Sequence, residues 1–351
     1  MSLAAAAEYL SHYGGPPLRI MEVCGTHTAA IFRSGIRSLL APGIRLVSGP
    51  GCPVCVTPSS YIDRCVEYAA TPGFRLMSFG DMMKTPGSGG RAIGGARGGG
   101  RVEMMYSPME AVERAALDPS VTYVIAAVGF ETTIPAYALA IEEAAARGLG
   151  NLRLLTALKS VTPALEWLLE NERGIDGFIC PGHVSVITGP EAYERLATGY
   201  GKPFAVAGFE GEHILAAIYA IARLAGGGAG GAGSGRVLNL YPSAVRAGGN
   251  ARALALIAKY FEPGPAVWRG LGRIEGSGYY LRKEYARFDG GGRGLDGDEA
   301  LAAGCACAGV TAGRTDPGDC PMFGSPCRPE SPLGPCMASA EGACGVWFQN
   351  M

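Results

Sequence analysis

The chain has 351 residues, with 30 Lys and Arg against 31 Asp and Glu, for a net charge of −1. There is no basic excess to neutralise phosphates, which argues against a nucleic-acid binder. No stretch approaches 18 uninterrupted apolar residues, and the opening MSLAAAAEYLSHYGG is too short and polar for a signal peptide or a membrane span. The expectation is a soluble, cytoplasmic protein with no membrane partner.

Residues 1–13 read as a short helix. Strand-like and helix-like segments then alternate. LRIMEV (18–23) is a strand, with a helix from about Thr26. IRLVS (44–48) is a strand, and PSSYIDRCVEYAA (58–70) a helix with Thr57 as N-cap and Pro58 at its first position. FRLMSF (74–79) and VEMMY (102–106) are strands, and PMEAVERAAL (108–117) a helix. The pattern restarts at TYVIAAV (122–128), with a helix over about 133–147. Next come LRLLTAL (152–158), PALEWLLEN (163–171), GFIC (177–180), PEAYERLATG (190–199), PFAVA (203–207), EHILAAIYAIARLA (212–225) and ARALALIAKYF (251–261).

Apolar strands alternating with amphipathic helices predict an α/β fold of parallel sheets with crossover helices. The length is large for one core. The restart near 120 predicts two α/β lobes, 14–119 and 120–235. A third unit, 1–13 with 236–351, carries a small cysteine-rich module. Glycine, at 55 residues, is about twice its usual share, in part because of the tracts SGGRAIGGARGGG (88–100) and GGGAGGAGSG (226–235), which read as flexible connectors.

Six of the eleven cysteines follow residue 300. In an intracellular chain, clustered cysteines point to metal or redox work rather than to a disulfide scaffold. Cys320, Cys327, Cys336 and Cys344 stand at intervals of seven, nine and eight in a Pro/Gly-rich segment. Four thiolates there suit one tetrahedral cluster, and spacing alone does not separate iron–sulfur from zinc. Cys305 and Cys307 are too close for ordinary bidentate ligation. Cys65 falls at helical spacing with Ile62 and Ala69, and Cys180 ends a buried strand; both read as core.

Ligands in open parallel sheets bind beyond the carboxyl ends of the strands. Six such ends carry chemistry here: Cys24 to His27, the GPGCPVC motif with Cys52 and Cys55, Asp81, Glu131, His183 and Glu210. Cys24 lies between a strand and a helix, so the helix N-terminus favours its thiolate; the alternative is a buried, inert cysteine. Cys52 and Cys55 have the spacing of a redox dithiol, although a Cys-x-x-Cys pair also holds metal or braces a turn.

Long segments of the chain together resemble the HypD family of hydrogenase maturation factors. They are MEVCGTHT (21–28), GPGCPVCVTP (49–58), FGDMMKTPGS (79–88), VGFETTIP (128–135), PGHVSVITG (181–189), GFEGEHIL (208–215), WRGLGRIEGSGYYLR (268–282) and the four-cysteine tail (320–344). The resemblance implies a scaffold and redox protein that builds the Fe(CN)2CO group of nickel–iron hydrogenases. It implies complex formation with the chaperone HypC, cyanide delivery by HypE with HypF, and a [4Fe-4S] cluster supplying electrons. It makes Cys24 the ligand of the iron that carries cyanide and carbon monoxide, Cys52 and Cys55 the redox pair, and Cys320, Cys327, Cys336 and Cys344 the cluster ligands. His27, Asp81, Glu131, His183 and Glu210 become the polar lining.

The chain departs from the family pattern at His213, where an acidic residue is usual, at Lys84-Thr85, and at Ala308 before Gly309. The implied role is an assembly factor with redox chemistry rather than a metabolic enzyme. The rival reading is an iron–sulfur-dependent protein disulfide reductase, which needs Cys52 and Cys55 but not Cys24. A third is a zinc-braced interaction protein.

Overall fold

The computed structural model describes residues 2–95, 101–226, 235–298 and 302–351. Two sheets carry the fold. The first is five-stranded and parallel, in the order β2-β1-β7-β8-β9, from Ile44–Ser48 (β2), Leu18–Glu22 (β1), Gly177–Cys180 (β7), Phe204–Val206 (β8) and Val237–Asn239 (β9). The second has six strands in the order β10-β11-β6-β5-β3-β4. It pairs Phe74–Ser78 (β3), Val102–Met104 (β4), Thr122–Gly129 (β5) and Leu152–Lys159 (β6) in parallel, and adds the antiparallel hairpin Phe261–Trp268 (β10) and Gly272–Leu281 (β11).

The α/β class and the mostly parallel sheets agree with the sequence reading. The restart at residue 120 does not mark a sheet boundary. β3 and β4 pair into the sheet of β5 and β6, whereas β7 and β8 join β1 and β2. Each sheet is therefore discontinuous in sequence: a lobe confined to 14–119 or to 120–235 does not describe either of them.

Both faces of each sheet are covered, which is why the strands read as near-continuous apolar runs. Met21, Val47, Phe178 and Phe204 face one core, and their neighbours Ile20, Leu46, Ile179 and Ala205 face another. In the second sheet Ile125 and Ala127 face one side, and Val124 and Ala126 the other. Phe130, just beyond β5, stacks on Trp268 at 5.7 Å within the core of the first sheet, so the two sheets share packed contacts.

Local signals explain most boundaries. The helix Pro108–Leu117 opens on a capping box between Ser107 and Glu110 with Pro at its start. The helix Ser59–Ala70 starts one residue later than expected. Pro58 is its N-cap, and the Thr57 hydroxyl donates instead to Pro53 O at 2.9 Å, closing the turn after Cys55. Residues 261–281 form a hairpin that the sequence hid. FEPGPAVW carries two prolines, tolerated because β10 lies on the sheet edge, with a bulge between Gly264 and Ala266.

The glycine tracts fall partly outside the described residues, at 96–100 and 227–234. The described part of the first, 88–95, is not a free connector: it makes two short 3-10 turns, and Ile93 is buried in the core. None of the described helices is long and apolar enough to cross a membrane.

Candidate functional site

β1 and β2 run parallel with Glu22 opposite Ser48. That register turns the Glu22 carboxylate into a buried hub. It accepts the Ser48 hydroxyl at 2.7 Å, the Thr28 hydroxyl at 2.5 Å and the Cys24 amide at 3.2 Å. Burial outweighs these bonds and raises its pKa to about 7. Cys24 follows as the N-cap of the helix Gly25–Arg33, with extended backbone and no side-chain cap bond. The helix N-terminus does support its sulfur through the His27 and Thr26 amides. Burial is the larger effect, however, and pushes the thiol up to about 11. The helix N-terminus favours the thiolate, as expected, but desolvation is the larger effect and keeps the thiol protonated.

The GPGCPVC loop lies directly on Cys24. A Cβ on Gly51 would stand 2.6 Å from Cys24 Cα and 2.5 Å from the Val23 carbonyl carbon. One on Gly49 would stand 2.7 Å from Met21 Sδ. At Gly51, where every near atom is backbone, only glycine admits the approach. Within the loop the Cys55 amide donates to Cys52 Sγ at 3.3 Å, and both thiols are buried.

The C-terminal segment closes the site from above. A Cβ on Gly25 would stand 2.7 Å from the Glu341 carbonyl carbon, so 339–341 roofs the start of the Cys24 helix. Asp81, at the end of β3, accepts the Ser339 hydroxyl at 2.7 Å and the Ala340 amide at 3.2 Å. The helix Ala343–Asn350 then packs on Gly25–Arg33 through Trp347 and Phe32, whose rings are 5.2 Å apart, with Arg37 over both. A small cavity of about 10 Å³ is left between Glu22, Cys52, Cys55, Cys336, Thr311 and Glu341.

The thiols of the tail group around Cys336. Cys307, Cys344 and Cys55 donate to its sulfur, in that order of effect, and hold it low; burial and the shared sulfurs raise Cys55. Cys307 first and then Cys336 raise Cys344. Thr311 Oγ1 lies 3.7 Å from Cys336 Sγ, and Cys55 Sγ reaches Pro335 O at 3.7 Å. Cys327 Sγ accepts the Leu333 amide at 3.3 Å, and Cys320 Sγ accepts the Ala306 amide at 3.4 Å. A Cβ on Gly334 would strike the sulfurs of both Cys305 and Cys307.

Of the four expected cluster ligands, Cys327, Cys336 and Cys344 lie in one buried cluster with Cys307. Cys336 and Cys344 interact with each other and with Cys307, and Cys336 also with Cys55, while Cys320 and Cys327 accept backbone amides. Among the described residues no three His, Cys, Asp or Glu side chains converge in a geometry that would hold a metal ion. The chemistry of the donors nevertheless suits iron–sulfur binding: several buried thiols, amide bonds to sulfur, and apolar walls from Met322, Phe323 and Phe348.

The remaining expected residues fall into separate places. His27 is fully buried, its Nε2 3.1 Å from Gly208 O and its Nδ1 without a partner; burial lowers it to about 4, so it is neutral. Its ring and that of His183 flank Phe209, with centroids 4.9 and 4.1 Å away. Glu210 is exposed at the start of the helix Gly211–Ala225. Glu131 Oε1 caps the helix Val161–Asn171, accepting Ser160 Oγ at 2.7 Å and Val161 N at 3.0 Å, and its Oε2 has no partner. His213 stacks near Tyr241 at 5.7 Å. Cys65 and Cys180 are core, as expected.

Sequence reasoning missed Glu22 and Glu341, and set Cys307, with Cys305, aside as a weaker candidate for a secondary redox or structural role. Glu22 sits inside a quoted motif, but only the β1–β2 register reveals its hydroxyl partners. Cys307 begins the short helix Cys307–Thr311, and that helix start turns the close pair at 305 and 307 toward the tail.

The chain is similar over nearly its whole length to known proteins. The HypD family model, described as the hydrogenase formation hypA family, matches residues 3–351. The hydrogenase maturation factor HypD of Rhodobacter capsulatus is 40% identical over 355 residues, covering 99% of this chain and 93% of that protein. That of Azotobacter vinelandii is 41% identical over 94% of this chain and 88% of that protein, and that of Escherichia coli K12 is 38% identical over 99% and 93%. The chain belongs to the HypD family of hydrogenase maturation factors.

Proposed function

We propose that this maturation factor is the scaffold and redox protein on which the Fe(CN)2CO group of nickel–iron hydrogenases is assembled, in complex with the chaperone HypC and with HypE and HypF delivering cyanide. The observation that carries the reading is the convergence of Cys24, the Cys52–Cys55 loop and the tail thiol Cys336 under one roof. Iron is the cargo, and Cys24 is its anchor: a soft thiolate suits low-spin iron with diatomic ligands. Cation binding there removes the burial penalty that keeps the thiol protonated.

The residues around Cys24 have separable tasks. Gly51 lets the dithiol loop lie against the anchor, and Glu22 holds the Cys24 amide. Oxidation of the Cys52–Cys55 dithiol to a disulfide would release two electrons and two protons. Returning that disulfide to the dithiol would take two electrons and two protons, and Cys55, in contact with the tail thiol Cys336, borders the segment to which we assign the supply of electrons. We assign to the tail cysteines, Cys307 included, the holding of an iron–sulfur cluster, which when bound supplies electrons.

The test is infrared spectroscopy of the anaerobic complex with the chaperone. Cys24→Ala should lose the cyanide and carbon monoxide bands while the visible absorbance of the tail cluster persists. Unchanged bands in that variant would refute the anchor role.

A further inference from the structure

β10 and β11 are joined by a short turn, Arg269 to Leu271, and Arg269 is only 4% exposed. Its backbone amide donates to Val56 O at 2.9 Å, and its Nη1 donates to Pro86 O at 2.9 Å. Its Nε lies 3.4 Å from Asp298 Oδ1. The Asp298 carboxylate also accepts the Ser59 amide at 3.3 Å and the Gly270 amide at 3.2 Å. Val56 follows Cys55 directly, and Ser59 opens the next helix. The Arg269–Asp298 pair therefore grips the chain just after the dithiol.

The same turn also meets the tail. Gly270 has a φ of +81°, and a Cβ there would stand 2.9 Å from both Cα and Cβ of Ala308, the residue after Cys307. Two adjacent residues of one turn thus touch the chain neighbours of two thiols, Cys55 and Cys307. Neither Arg269 nor Asp298 lines the thiol cleft beside Cys24. They bear on the loop and not on what the cleft binds.

We propose that the Arg269–Gly270 turn is the strut that sets the dithiol loop against the tail, with Arg269, braced by Asp298, a positioning residue for Cys55. This rests on the reading of Cys52 and Cys55 as a redox pair. In the dithiol the Cys55 sulfur interacts with both Cys336 and Cys52. A disulfide would draw it to about 2.05 Å from the Cys52 sulfur. A grip on Val56 and Ser59 resists that movement, so the strut favours the dithiol. A buried ion pair is a weak source of stability but a means of fixing one arrangement, which suits this task.

The experiment uses the full chain, kept anaerobic and brought to equilibrium with reduced and oxidised glutathione from both directions. Closing the disulfide consumes one glutathione disulfide and yields two glutathione thiols; the state of Cys52 and Cys55 is read by alkylation and mass spectrometry. Asp298→Asn and Arg269→Met should each shift the equilibrium toward the disulfide by roughly tenfold, about 30 mV for this two-electron couple. Arg269→Lys, which keeps the charge but not the planar fork, should shift it less. Ile141→Ala opens a cavity in a core separate from that of Cys52 and Cys55; it should lower stability and leave the equilibrium where it was. Should Arg269→Met not fold, Asp298→Asn carries the test. An unchanged equilibrium in Asp298→Asn, or an equal shift in Ile141→Ala, would overturn the positioning role alone. A wild type that forms no Cys52–Cys55 disulfide at any glutathione ratio would overturn the redox reading, and the strut with it.

Discussion

Gly51→Ala tests whether the GPGCPVC loop is seated on Cys24. The added methyl would lie 2.5 Å from the Val23 carbonyl carbon and 2.6 Å from Cys24 Cα, and closer still to the Cys24 amide nitrogen. All three are backbone atoms of a strand end and helix start, so no rotamer change relieves the overlap. Bringing the nearest carbon to the 3.0 Å below which real Cβ contacts are not found needs about half an ångström of movement. Overpacking of this kind costs about 1–3 kcal/mol. The yielding element is the loop 49–55, because Glu22 and its hydroxyl partners fix the strand side. The thermal midpoint should fall by roughly 2–5 °C, and the buried thiols of Cys24 and Cys52 should react faster with a thiol reagent. Gly14→Ala, whose methyl meets nothing within 4 Å, is the control. If Gly51→Ala matches that control in both midpoint and thiol reactivity, the loop is not held against Cys24.

Asp81→Ala removes the acceptor for the Ser339 hydroxyl and the Ala340 amide. It should cost about 1–3 kcal/mol and speed proteolysis near 339–341; an unchanged cleavage pattern would refute the clamp. Lys159 gives a pH signature. Burial holds its folded pKa at about 7, below the ordinary 10.5, so in that window the unfolded chain holds a proton the folded one lacks. Stability therefore rises with pH there, by up to about 1.4 kcal/mol per pH unit. The facing groups are Asp296 and Asp298, with Tyr61 and Tyr280 in the wall of a small cavity that Lys159 also lines, both raised by burial. Lys159→Met should flatten the rise between neutral and mildly alkaline pH, and parallel denaturation profiles for the two proteins would contradict it.

Individual elements were legible in the sequence because each buried strand is a short apolar run with turn residues after it. TYVIAAV and GFIC are of this kind, and both form strands. Their partners were not legible. GFIC lies beside LRIME, more than 150 residues earlier, and no local signal encodes that choice; proximity in sequence pointed to β6 instead. The β10–β11 hairpin was masked by prolines that only an edge strand accepts. At the site, Cys24, Cys52 and Cys55 were picked out by residue type and by their place at strand ends. Their meeting with the tail was not, because it depends on Gly25 and Gly51 accepting backbone where a Cβ would stand. Glu131 and Glu210 looked equivalent at two strand ends. One became a buried helix cap and the other an exposed one, a difference set by what packs above them.

The tail links the two sheets at the point where the chemistry is gathered. Cys24 follows a strand of the first sheet and Asp81 a strand of the second, and residues 339–341 touch both: Glu341 roofs Gly25, and Ser339 and Ala340 bond to Asp81. Cys336 and Cys344 flank that clamp, three residues before it and three after. A displacement of 339–341 therefore uncovers Cys24 and parts Cys336 from Cys55 in one movement. The cover over the Cys24 helix and the contact between Cys336 and Cys55 both border this one segment, so loosening Asp81 should alter both together.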